Sequence, residues 1–140
     1  MSIIDKISTK PLLDKLGIKP ESAVAVIGVK DDAFLRLLKT RTADVYVGRL
    51  RIGLDAIFFG ADSIRALGKL PRLKTYINPN GAIWGVSLKG KAARIRDVDV
   101  IGAAKRAGLV DNKVVSFSAT HTSLRLVIPV SLRDRQGQLT

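Results

Sequence analysis

Cysteine is absent from this chain of 140 residues. That excludes disulfides, thiolate zinc sites and a cysteine nucleophile, and it fits a reducing compartment. Histidine occurs once, at His121, so a multi-histidine metal site cannot be assembled and no metal is expected. Aromatic residues make up 5%, too few for an evident row of platforms on which nucleic-acid bases would stack. No run approaches the roughly 18 consecutive apolar residues of a membrane-spanning helix. Residues 1–10 mix Asp5 with Lys6 and Lys10 where a secretion signal would be apolar. These absences give the expectation of a soluble, cytoplasmic protein without membrane insertion.

What is present is an ordinary core and an unusual charge. Hydrophobic residues make up 46%, enough for one globular domain over residues 1–140. The net charge is +12, which favours encounter with polyanions or phosphorylated ligands. The distribution is sharper than the total. No acid occurs between Asp62 and Asp97, a stretch holding Arg65, Lys69, Arg72, Lys74, Lys89, Lys91, Arg94 and Arg96.

Hydrophobic patterning places the elements. Residues 9–17 read as a short helix with Thr9 as cap and Gly17 as terminator. Residues 22–28 (Ser-Ala-Val-Ala-Val-Ile-Gly) form a continuous apolar run, as a strand buried on both faces requires. Asp31 or Asp32 then caps a helix whose inner face holds Phe34, Leu37 and Leu38. Further strands are expected at 43–47, 54–60 and 82–88. Asp62 or Ser63 opens a helix ending near Pro71, and Asn78-Pro79-Asn80-Gly81 signals a turn. Asp97 caps the last main helix and Gly108 ends it. Strands at 112–118 and 123–130 flank the turn 119–122 as an antiparallel hairpin, placing Trp84 and Phe117 on core strands. The core spans about residues 10–130, and 131–140 form a polar tail. Alternation of strands and helices implies a mostly parallel sheet of about six strands, with helices on both faces and the hairpin at its end.

One segment carries a resemblance. Leu54-Asp55-Ala56-Ile57-Phe58-Phe59, a helix, and then Asn78-Pro79-Asn80-Gly81-Ala82-Ile83-Trp84 resembles the back half of class I methyltransferases. There a strand holding an aspartate precedes a helix and a Pro-x-Gly turn into the next strand. Ala107-Gly108-Leu109 and the final hairpin follow the same order. Small bacterial proteins of this shape are similar too. The resemblance implies a three-layer Rossmann-like α/β sandwich with strand order 2-1-3-4-6-5. It also implies S-adenosylmethionine, but the front half departs from that pattern. The loop after the first strand, Gly28-Val29-Lys30-Asp31-Asp32, has one glycine where those enzymes are glycine-rich. The second strand ends at Val47-Gly48-Arg49 rather than at an acid that would hold ribose hydroxyls. No cofactor is therefore expected.

In such sheets ligands lie beyond the carboxyl ends of the strands, at a topological switch point. That edge gathers Gly28, Lys30, Asp31, Gly60, Asp62, Ser63, Lys89, Lys91 and His121 as candidate ligand-binding residues, and Gly28 and Gly60 are expected close in space. No catalytic residue is assigned, because a Ser–His pair needs a nucleophile elbow and an orienting acid that the sequence does not offer. The leading expectation is a basic binding domain for an anionic small molecule. An alternative is nucleic-acid binding through Lys89, Lys91, Arg94 and Arg96. A third is a small enzyme using Asp62, Ser63 and His121 on a phosphorylated or carboxylated substrate. The chain alone does not set its oligomeric state.

Overall fold

The apolar run around Val24 is buried because a parallel strand at the centre of a sheet meets helices on both sides. The computed structural model describes residues 11–133. Among these the elements are α1 (Leu12–Lys15), β1 (Val24–Ile27), α2 (Asp32–Arg41), β2 (Val45–Val47), β3 (Leu54–Gly60), α3 (Ile64–Leu67), α4 (Leu70–Lys74), β4 (Ile77–Leu88), α5 (Asp97–Arg106), β5 (Val110–Ser116) and β6 (His121–Val127). The six strands form one sheet in the order β2-β1-β3-β4-β6-β5. β2, β1, β3 and β4 run parallel, while β6 is antiparallel to both β4 and β5. The expected three-layer fold and strand order both stand.

The two faces of the sheet are built from different side chains. On one, α1 and α2 cover Val24, Val26, Phe58, Trp84 and Val86. Phe34 meets Phe58 edge-on at 4.9 Å and Phe117 at 4.5 Å, and Phe58 stacks on Trp84 at 6.4 Å. On the other, α3, α4 and α5 pack Leu67, Leu70, Leu73, Val100, Ala103 and Ala104 on aliphatic strand residues such as Ile57, Ile83 and Leu126. Each large side chain removed from water this way contributes about 1.5–3 kcal/mol. Phe117 and Trp84 are thus core residues.

Local chemistry sets the element ends. Asp31 Oδ1 accepts the Phe34 N–H at 3.0 Å and caps α2. Ser63 Oγ accepts the Ala66 N–H at 3.0 Å and caps α3. Gly17 and Gly108 follow their helices in the left-handed region. Thr9 and most of the 131–140 tail lie outside the described residues.

Four expectations change. Leu37 is exposed, leaving Phe34 and Leu38 as the buried residues of α2. Asp97 does not cap α5: it is the first helical residue, and Asp99 caps from within by accepting the Arg96 N–H at 3.0 Å. The hairpin strands start and end about two residues earlier than expected. Phe117 and Ser118 both donate to the His121 carbonyl, so the turn precedes His121. Asn78-Pro79-Asn80-Gly81 falls within β4 as a bulge: pairing passes from Leu54↔Ile77 to Ala56↔Ala82, two steps along β3 against five along β4. The extra residues swing out, and Asn78 Nδ2 donates to the Gly53 carbonyl and to Asp55 Oδ1.

Candidate functional site

Parallel strands end in step, so the loops that follow β1 and β3 meet at the carboxyl edge. Register Ile27↔Phe59 puts Gly28 beside Gly60. Their backbones touch: a Cβ on Gly60 would fall on the Gly28 carbonyl, which only glycine avoids. Gly28 itself has φ 72°. The expected closeness of the pair is present; contact between the two loops accounts for Gly60, and the left-handed backbone accounts for Gly28.

A cleft of about 350 Å³ opens over this contact, lined by Gly28, Val29, Lys30, Asp31, Gly60, Asp62, Val86, Phe117, Thr120 and His121. That volume is within the usual range for small-molecule sites. Pairing of Leu88 with His121 carries the hairpin tip to this edge. His121 Nδ1 lies 2.8 Å from Thr120 Oγ1, and Ser118 Oγ accepts the N–H groups of Thr120 and His121 at 3.3 and 3.1 Å. Both acids of the cleft already serve the backbone. Asp31 caps α2, and Asp62 Oδ1 accepts the Leu88 N–H at 2.9 Å, joining the β3 loop to the end of β4.

Six of the expected ligand-edge residues line the cleft: Gly28, Lys30, Asp31, Gly60, Asp62 and His121. Three do not. Ser63 is occupied as the cap of α3. Lys89 holds the hairpin, with its N–H on the Thr120 carbonyl at 3.0 Å and Nζ on Ser116 Oγ at 2.8 Å. Lys91 stands exposed on the 3-10 turn Gly90–Ala92, off the cleft. Of the other basic-loop candidates, Arg94 is exposed and Arg96 faces Asp99 at 3.5 Å. Sequence reasoning brings Val29 and Thr120 to this edge within the segments 28–32 and 118–122, without naming them as ligand residues; it does not assign Val86 and Phe117 to it. Among the described residues there is no cluster of three acidic or histidine side chains suited to a metal, and no helix long and apolar enough to cross a membrane.

No protein-family model matches the chain, and no curated protein matches it in sequence. Solved structures do match in shape. A methyltransferase-like protein of Thermoplasma acidophilum, described as a "putative methyltransferase", superposes with a TM-score of 0.61 at 9% identity, over 82% of this chain and 71% of that one. The O-methyltransferase NcsB1 of neocarzinostatin biosynthesis gives 0.63 at 12%, over 91% of this chain and 53% of its own. A TehB-like S-adenosylmethionine-dependent methyltransferase of Corynebacterium glutamicum gives 0.53 at 12%, over 84% and 85%. The chain has a methyltransferase-like Rossmann fold. At these identities the likeness is one of fold, and the chain spans about half the length of NcsB1.

The loops after β1 and β2 differ in what they present. Gly28, with φ 72°, lines the cleft, and its backbone bars a side chain at Gly60. At the end of β2 the Gly48 N–H donates to the Val26 carbonyl at 2.8 Å, and the Arg49 guanidinium lies over the Tyr46 ring at 5.5 Å. The residue that follows β2 and Gly48 is thus a cation.

Proposed function

We propose that this chain is a binding domain on a methyltransferase-like scaffold that takes an anionic small molecule in the Gly28/Gly60 cleft and transfers no methyl group. The supporting observation is how the cleft's polar groups are committed. Its two carboxylates, Asp31 and Asp62, each accept a backbone N–H. Lys30 and the unbonded edge of the His121 ring are left to meet a ligand, beside the amino end of α2. Val86 and Phe117 supply the apolar wall.

A thermal-shift panel of nucleotides, phosphorylated metabolites and S-adenosylmethionine tests this reading. The expected result is a saturable rise in melting temperature with a phosphorylated compound. Lys30→Ala and His121→Ala should each weaken its Kd by about tenfold, the order of one charge-assisted hydrogen bond. Stoichiometric S-adenosylmethionine binding with methyl transfer to an acceptor overturns the reading. So does a ligand whose affinity neither substitution changes.

A further inference from the structure

A second cavity, of about 380 Å³, lies on the opposite face of the sheet. Its lining includes Ile27, Arg49, Leu50, Lys69, Arg72 and Tyr76. Ile27, Leu50 and Tyr76 pack on the aliphatic core, whereas Val86 and Phe117 of the first cleft belong to the aromatic one. No carboxylate lines it. The charge is therefore unlike that of the first cleft: three cations and no acid, against one lysine and two aspartates.

The three cations come from two places. Arg49 follows β2 and is held by its stack on Tyr46. Lys69 precedes α4 and Arg72 lies within it. All three are exposed, and among the described residues none is within ion-pair distance of a carboxylate. The cationic surface does not stop at the cavity. Arg51, whose guanidinium also lies over Tyr46, borders it while paired with Asp44 at 3.5 Å, and the exposed Arg65 precedes Lys69 by four residues. Clustered unpaired cations repel one another, and that cost is recovered when an anion of matching spacing lies across them.

We propose that this face binds the phosphate backbone of a nucleic acid, with Arg49, Lys69 and Arg72 as its central contacts. Three unpaired cations at one cavity, on a chain of net charge +12, favour a polyanion over a single phosphate group. Trp84, Phe34, Phe58 and Phe117 are buried, Tyr46 and Tyr76 pack on the core, and Arg49 and Arg51 lie over the Tyr46 ring, which leaves base stacking little part. Binding is therefore by phosphate contact and independent of sequence. The proposal moves the nucleic-acid footprint from the 89–96 loop, where Lys89 and Arg96 are engaged within the fold, to the surface formed by the β2 loop and α4.

Fluorescence anisotropy tests it with labelled single-stranded RNA, single-stranded DNA and duplex DNA, each titrated at several salt concentrations. The expected result is affinity that falls steeply with salt for at least one of these. The triple variant Arg49→Ala/Lys69→Ala/Arg72→Ala should lose about tenfold or more in affinity, and its salt slope should drop by about 2–3. Lys89→Ala/Lys91→Ala/Arg94→Ala removes the same charge and should stay within about threefold. Arg49→Lys/Arg72→Lys keeps the charge and should retain binding, which separates lost contacts from lost folding. Equal losses in the two alanine triples would reduce the effect to net charge and overturn the proposal. No binding at low salt, or displacement by inorganic phosphate at concentrations far too low to act as bulk salt, would overturn it as well.

Discussion

The two ends of β3 join neighbouring segments by opposite means. At the amino end a side chain makes the joint. Asp55 Oδ2 accepts the Ala23 N–H at 2.8 Å, and Oδ1 accepts from Asn78 Nδ2 at 3.0 Å. One carboxylate thus ties β1 and the bulged start of β4 to β3. At the carboxyl end the joint depends on having no side chain, because the Gly28 and Gly60 backbones touch. Asp62, just beyond, reaches across to the Leu88 N–H. The aspartate that gives the chain its methyltransferase likeness is Asp55, and it sits at the edge away from the His121 cleft. Here an acid on a strand serves the fold or faces the cleft according to which end of the strand it occupies.

The largest effect is expected at the joint without a side chain. Gly60→Ala places a Cβ on the Gly28 carbonyl, and neither backbone can yield without moving its strand. A loss of about 3 kcal/mol or more is expected, read as a lower urea midpoint. Unchanged stability would mean that the two loops part at little cost, and the distinction between the two ends would fail.

The two aspartates are expected to separate by readout as well as by size. Asp55→Ala leaves the buried Ala23 N–H unpaired and frees the bulge, a cost of about 2 kcal/mol. It should leave ligand-induced shifts at the His121 cleft unchanged, since Asp55 lies at the other edge. Asp62→Ala loses one hydrogen bond, about 1 kcal/mol, yet it should alter those ligand shifts because Asp62 lines the cleft. If Asp55→Ala changed ligand binding as much as Asp62→Ala did, the two ends would not be functionally distinct.

Much of this was legible in the residues. The apolar runs at 24–27 and 54–60 mark strands buried on both faces, and the caps at Asp31 and Ser63 were among the alternatives read from the sequence. The hairpin register was not, because Phe117 looks like strand but reaches the core from just beyond β5. The Asn78–Gly81 segment carries turn chemistry, yet the Asp55 bond holds it as a bulge inside β4. The cleft was half legible. Gly28, Gly60 and Asp62 end or follow strands whose order fixes their edge, Val86 reaches it by pairing with Gly60, and Phe117 and Thr120 reach it only through the β4–β6 pairing. The basic stretch from Arg65 was visible as a run without acids, but nothing local joins it to Arg49. The fold does so by bringing α4 beside the end of β2.

The smallest expected effect asks whether a carboxylate that serves a helix end behaves like the two at the ends of β3. Asp99 accepts the Arg96 N–H, and this bond, followed by the Arg96 guanidinium, holds its carboxyl below the ordinary aspartate range. A depressed folded-state pKa contributes stability above the unfolded pKa, and that contribution is lost as pH falls through the folded value. Asp99→Asn keeps an oxygen to accept the N–H and removes the charge. At neutral pH the variant should therefore melt slightly lower than the parent, and the gap should close as the solution is acidified through and below the carboxylate range. A gap that stayed constant with pH would assign the difference to packing. Asp99 would then resemble Gly60, whose contribution is steric, more than Asp55, whose contribution rests on the bonds its carboxylate accepts.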